Sequence, residues 1–413
     1  MDTPTIGALL RRLRVQAGRS QSEQADMLST LAGRPVARNE VSRWEHEGRL
    51  LTPFWQEHYA ASFGVPVTTL RRAVATSKAK RRQGKDASGP VRRREFIGTM
   101  AGLALPVPPL TVGQHIGAAD VQRLSERTAR LRRLDDLLGG ADTYRLYVAE
   151  LDGVASLLNA GRHTAEVGLA LRSLLAERAQ LAGWSAFDAG YHDNARRHFR
   201  ASLAAAEEAD DSMLSGNALA FLAYQQTATG DRATATAEAS YAKVKNGATP
   251  AVRTLLLERL AWSHAVAGQP QEADRALGMA RDALHTDSTR PEPDWVFWVD
   301  STEIEIMTGR CWTELRRPLR AVPVLENALA GFSDTHARDK SLYLTWLAES
   351  YRQAGEIEQA ATTATRALDL ATGVGSVRPL ARLRVLARRL APHRAAPDVA
   401  ALLDRLTAAL SSP

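Results

Sequence analysis

The chain predicts an all-α fold, a small helical bundle followed by a long solenoid of stacked helix pairs. Three observations predict it. Apolar residues recur at three- and four-residue spacing nearly throughout, with almost no strand-like alternation. Glycines and small residues return at near-regular intervals through the second half. Positive charge is concentrated at one end: residues 1–95 hold 18 Lys+Arg against 9 Asp+Glu, and the remainder holds 35 against 37, within an overall +7. The 413 residues suffice for two or three domains with sizeable cores. We read residues 1–75 as the bundle, 76–118 as a basic linker with an apolar docking segment, and 119–413 as the solenoid.

In the bundle, Ile6, Leu9, Leu10 and Leu13 form an apolar stripe, giving a first helix that ends near Gly18. Ser20 is placed to cap a second helix over Gln21–Leu31, which Gly33 and Pro35 break. A third, short helix spans about Arg38 to Glu45. On it Val41 and Trp44, three apart, face inward and leave Arg38, Asn39, Glu40, Ser42 and Arg43 outward. Pro53 suits the first turn of a fourth helix through Trp55, Tyr59 and Phe63, stopped by Gly64. A short segment at Thr68–Val74 follows. A solvated face rich in Arg and Asn is what a major-groove helix needs, since Arg grips guanine and Asn grips adenine in two-pronged hydrogen bonding. The basic excess at this end is the electrostatic footprint of a polyanion partner.

Ser20-Gln21 opening the second helix, and Val41-Ser42-Arg43-Trp44-Glu45 followed by Gly48-Arg49, resemble the Cro/repressor-type (XRE family) helix-turn-helix domain over about 70 residues. The resemblance implies double-stranded DNA as a partner. It implies that Gln21 contacts a phosphate, that Arg38, Asn39 and Arg43 read bases, with Glu40 and Ser42 on the same face, and that Glu45 is a fold contact. Two departures stand out: Gln24-Ala25 occupies the family's Leu-Ala position, and the stretch Ser29–Val36 is longer than in compact repressors.

The segment TSKAKRRQGKDASGPVRRRE, starting at Thr76, is basic and poor in apolar residues, and composition makes it a tether. Its Lys80, Arg81 and Arg82 are candidates for sequence-independent phosphate contacts. Arg93-Arg94-Glu95-Phe96-Ile97 and the apolar run behind it are similar to a twin-arginine export signal, here preceded by a whole domain. The run breaks at Pro106 and is too short to span a bilayer, so we expect it to dock on the C-terminal domain.

In the C-terminal region we place turn glycines at Gly190, Gly230, Gly268, Gly309 and Gly355, spaced 40, 38, 41 and 46 residues apart. Five residues after four of them stand Ala195, Ala235, Ala273 and Ala360, and seven before stand Gly183, Ala223, Ala261 and Ala348. The Gly309 repeat departs, with Thr302 and Glu314 at the small positions. Small residues at fixed offsets let two antiparallel helices approach closely, and the pairs must stack because none buries its apolar face alone. With Leu347-Ala348-Glu349-Ser350-Tyr351 as the best single match, residues 176–372 resemble tetratricopeptide repeats. One or two degenerate pairs precede them, and 378–410 form a capping pair. The resemblance implies a concave ligand face lined by the first helix of each repeat, which selects Trp184, Tyr224 and Trp262, Glu258 and Asp300, and Asn217 and Phe297. An aromatic ladder beside carboxylates suits a peptide or a partly cationic small molecule.

The chain contains no phosphate-cradling glycine loop, nucleophile motif or metal-ligand His/Glu spacing, so we expect no enzyme, cofactor or metal. The single cysteine, Cys311, excludes an internal disulfide and suits a reducing, cytoplasmic compartment. The Arg- and Ala-rich composition fits a GC-rich, actinobacterial genome. The two halves together resemble the peptide-sensing quorum regulators of Gram-positive bacteria (the RRNPP group) and regulators of actinobacterial development and antibiotic production. The expectation is a homodimeric transcription regulator whose array binds a signal peptide, small molecule or partner protein. The alternatives are a repeat scaffold tethered to DNA without a diffusible ligand, and a solenoid exported through the twin-arginine-like segment.

Overall fold

The computed structural model describes residues 5–33, 35–36, 38–45, 51–86, 115–135, 138–244 and 247–411. Among them are nineteen α-helices, two 3-10 turns and one isolated bridge between His115 and Arg162, so the fold is all-α. The chain divides into two compact units, residues 1–105 and 106–413.

The first unit is built from α1 (Ile6–Gln16), α2 (Gln21–Ala32), α3 (Arg38–Glu45), α4 (Pro53–Phe63) and α5 (Val67–Asp86). Ser20 caps α2 reciprocally: its hydroxyl accepts from the Glu23 amide at 3.2 Å, and the Glu23 carboxylate accepts from the Ser20 amide at 2.7 Å. Gly33, at φ +63°, ends that helix in the left-handed conformation. Val41 and Trp44 are fully buried. Trp44 lies 5.0 Å from Trp55 and meets Tyr59 edge-on at 5.6 Å, which fixes α3 against α4.

The fifth helix is longer than the predicted segment Thr68–Val74. Residues 76–86, which composition assigned to the tether, continue it to Asp86. Part of the reason is a tertiary hydrogen bond: buried Ser77 accepts from the Ile6 amide at 2.8 Å, satisfying an orphan donor at the start of α1. Residues 87–114 of the linker, including the twin-arginine-like segment, lie outside the described residues, and its last residues join the second unit, where Ile116 is buried.

The second unit opens with α6 (Ala118–Asp135) and α7 (Gly140–Ala160). Five helix pairs follow: α8 (Ala165–Asp188) with α9 (His192–Glu208), α10 (Ser212–Thr229) with α11 (Thr234–Val244), α12 (Pro250–Val266) with α13 (Pro270–Leu284), α14 (Ser301–Glu314) with α15 (Pro318–Ala330), and α16 (Ala337–Ala354) with α17 (Ile357–Ala371). The cap is α18 (Arg378–Leu390) and α19 (Pro397–Ser411).

One turn recurs in all five pairs. A left-handed residue ends the first helix, and the next amide bonds the carbonyl five positions back. These bonds are Tyr191 to Ala186, Asp231 to Gln226, Gln269 to His264, Arg317 to Trp312 and Glu356 to Tyr351, at 2.8–2.9 Å. The left-handed residues are Gly190, Gly230, Gly268, Arg316 and Gly355. Gly309 is therefore no turn glycine. It lies inside α14, and the fourth turn uses Arg316 at φ +55°. An added segment between α13 and α14, carrying a 3-10 turn at Asp294–Val296, stretches that repeat and displaces the sequence register.

With the register corrected, Gly309 joins Gly183, Ala223, Ala261 and Ala348 at the close-packing position seven residues before the turn. A Cβ on Gly309 would stand 2.4 Å from Leu325 Cγ. The small residues of this repeat are thus Gly309 and the buried Ala321, not Thr302 and Glu314. Ala235 is also corrected: it is exposed, and buried Ala237 takes the packing role.

Within this unit the superhelix closes on itself. The Ala141 amide donates to the Gly375 carbonyl at 2.8 Å and the Val377 amide to the Asp188 carbonyl at 3.0 Å. Asp188, fully buried, also accepts from the Gly140 amide at 2.8 Å and from Ser376 Oγ at 2.7 Å. Buried Arg338 donates to Asp135 at 2.9 Å. Gly139 and Gly140 are required here, since a Cβ would meet the Gly375 backbone at 2.2 Å and the Ser185 carbonyl at 2.1 Å respectively.

Candidate functional site

In the first unit, Arg38 is exposed at the start of α3, whose Val41 and Trp44 are buried, and Glu40 and Ser42 are half-buried. Asn39 and Arg43 also lie on α3, but their side chains fall outside the described residues, as do those of Lys80, Arg81 and Arg82 on α5. Gln21 is half-buried and its Nε2 donates to Glu45 Oε2 at 3.0 Å. Glu45 is the internal anchor: Arg14 grips its two oxygens at 2.5 and 2.9 Å. Burial pushes the Glu45 carboxyl up, but the hydrogen bonds from Arg14 and Gln21 and the charge of Arg14 outweigh it and hold it below the usual range. Gln24, on α2, is fully buried and donates to Ser62 Oγ at 2.7 Å while accepting from Arg19 at 3.2 Å. The buried amide is tolerated because it is hydrogen-bonded.

In the second unit the closed superhelix surrounds a cavity of about 650 Å³. In the corrected register, the residue thirteen before each turn borders it in all five pairs: Glu177, Asn217, Leu255, Glu303 and Leu342. Six before the turn stand Trp184, Tyr224, Trp262, Arg310 and Glu349, of which Trp184, Tyr224 and Arg310 border it. Reading Gly309 as the turn concealed Arg310 and Glu303. No sequence signal announces Arg316 as a left-handed residue.

Five of the seven candidate ligand residues line the cavity: Trp184, Asn217, Tyr224, Phe297 and Asp300. Phe297 and Asp300 do so from the added segment and the N-cap of α14, not from a first helix. Asp300 is occupied in capping, accepting from the Glu303 amide at 2.9 Å. Asn217 donates to Gln180 at 2.8 Å. Glu258 and Trp262 do not border the cavity and are buried. Trp262 packs edge-on against Trp346 at 5.1 Å and beneath Arg310 at 4.6 Å. Glu258 is fully buried, and neither carboxyl oxygen has a hydrogen-bond partner among the described residues. Burial, and then Glu303 beside it, push its pKa well above the carboxylate range.

The cavity's polar core is Tyr224. Its hydroxyl oxygen accepts from Arg310 and from Arg378, each at 2.8 Å. Burial raises the phenol, but Arg310, Arg378 and Arg259 together bring it down to about 8. On the opposite side, Glu177 accepts from Arg132 at 2.6 Å, and Asp294 of the added segment accepts from Arg132 and Arg133. Arg133 also covers the Phe297 ring at 3.5 Å. These contacts hold the added segment against α6.

No group of three or more His, Cys, Asp or Glu suited to a metal occurs among the described residues. Among them, no helix is long and apolar enough to cross a membrane. The fold and site define the class as an all-α protein in which a helical bundle precedes a self-closed α-solenoid with an internal cavity. No protein-family model matches the chain, and no curated protein matches it.

Proposed function

We propose that the protein is a sequence-specific DNA-binding transcription regulator whose solenoid binds a signal ligand and thereby modulates DNA binding. The observation that carries the reading is the pairing of two features in one chain. One is a short helix, α3, anchored by Trp44 and bearing Arg38 on its exposed face. The other is a closed superhelix around an aromatic-lined cavity of ligand size. The net +9 of residues 1–95 supplies a sequence-independent attraction to phosphates. A homodimer would match symmetric half-sites, and the ligand must bind two arrangements of that dimer with different affinity for anything to switch.

The test is to incubate purified full chain with fragmented genomic DNA at moderate salt and sequence what is retained. Wild type should enrich a roughly two-fold motif. Arg38→Ala and Asn39→Ala should each relax preference at one position, at about 1–3 kcal/mol. Neutralising Lys80, Arg81 and Arg82 should weaken binding to all sequences and flatten the salt dependence. Sequence choice that follows the α5 change and ignores the α3 change would overturn the assignment.

A further inference from the structure

Three guanidinium groups surround the Tyr224 ring, with Arg259 at 5.0 Å, Arg310 at 5.6 Å and Arg378 at 5.7 Å from its centroid. Like charges crowd together only where something negative compensates. Arg378 has Asp188 at 3.5 Å. Arg259 and Arg310 form no ion pair among the described residues. Arg310 is 3% exposed, yet its Nε is without a hydrogen-bond partner there, and so is the buried Nη1 of Arg259. A buried charged donor without an acceptor is costly, so it marks a place for one.

The carboxylates nearby do not fill that place. Glu177 is taken by Arg132 and Asp300 by the α14 N-terminus, and Glu303 accepts from Tyr343 at 3.2 Å. Burial raises both Glu258 and Glu303 toward the neutral form. The Tyr224 subsite therefore carries excess positive charge at the wall of a cavity that Trp184, Phe221 and Trp298 also line. Arg378 already lies over Trp184 at 4.7 Å and Arg259 near Trp298 at 5.7 Å, so cations and aromatic faces are interleaved. The volume, about 650 Å³, suits a compact molecule more than an extended chain.

We propose that the cavity takes a compact aromatic organic anion, its acidic group held by Arg259, Arg310 and Arg378 and its rings set against Trp184, Phe221 and Trp298. The proposal rests on the reading of this cavity as the sensing site, and it names the chemistry of the signal.

Two probes of one skeleton separate the proposal from that reading: 8-anilinonaphthalene-1-sulfonate, and N-phenyl-1-naphthylamine, which lacks the sulfonate. Fluorescence titration of the full chain should show one site per chain, binding the sulfonate at least roughly tenfold tighter, as charge-assisted hydrogen bonds require. Arg259→Gln should remove most of that preference and leave the neutral probe unchanged. Arg310→Met should do the same where circular dichroism shows the fold intact, and the half-exposed Arg259 keeps the test decisive if it does not. Equal binding of both probes, or a preference indifferent to Arg259→Gln, would overturn the anion subsite and leave the cavity reading standing. Binding of neither probe would overturn the cavity reading and the proposal with it.

Discussion

The Arg14–Glu45 pair ties α1 to α3 inside the first unit. Glu45 is buried and Arg14 half-buried, and each satisfies the other through two parallel hydrogen bonds. Arg14→Ala would leave a nearly buried carboxylate without its main partner, so it should cost about 3 kcal/mol or more, read by denaturant unfolding. Because the folded pKa of Glu45 is depressed, its contribution is fully present above the unfolded value of 4.5 and is lost as pH falls through the folded one. Glu45→Gln should flatten that acid limb. Tyr224 carries the same sign at higher pH: its phenol, near 8 when folded, lies below the ordinary 10. Stability should therefore rise between these two pH values. One of the eight tyrosines should ionise near pH 8 by phenolate absorbance, and Tyr224→Phe should abolish that step. Cys311 is fully buried and its thiol is pushed up to about 12 by burial, so a thiol-specific disulfide reagent should label it only after unfolding.

At the scale of elements, the close-packing position seven residues before each turn sets how near the two helices of a pair approach. Gly309→Ala isolates this effect. Alanine is the better helix former by about 1 kcal/mol. Its Cβ, however, would overlap fully buried Leu325, and overpacking costs about 1–3 kcal/mol. The substitution should lower stability in thermal unfolding; a rise would show that α15 yields to the added methyl. The element pattern was legible in part. Gly190, Gly230, Gly268 and Gly355 stand at turns because a left-handed backbone favours glycine. Arg316 adopts the same conformation without the glycine signature, so the fourth repeat was misplaced. The extension of α5 past Val74 was equally hidden, because composition speaks for a tether and the Ile6–Ser77 hydrogen bond is tertiary.

At the scale of the second unit, closure makes the cavity. Asp188 draws together Gly140, Ser376 and Arg378, and Arg338 reaches Asp135 across 203 positions of chain. Gly139→Ala places a methyl 2.2 Å from the Gly375 backbone, which has no flexible side chain to give way. It should open the closure, enlarge the unit by small-angle scattering and weaken binding of both aromatic probes together. Retention of probe binding with unchanged dimensions would show that the seam tolerates displacement.

By itself the sequence determined what local chemistry determines. The helical period, the Ser20 cap, the inward Val41 and Trp44 and four of the five repeat turns follow from side chains acting on nearby backbone. The tertiary structure alone decided which helices return to meet which. That choice closed the superhelix, buried Glu258 and Trp262 and brought Arg259, Arg310 and Arg378 around one phenol. Contacts across 86 and 203 residues depend on the summed geometry of every intervening pair, and no local pattern encodes that sum.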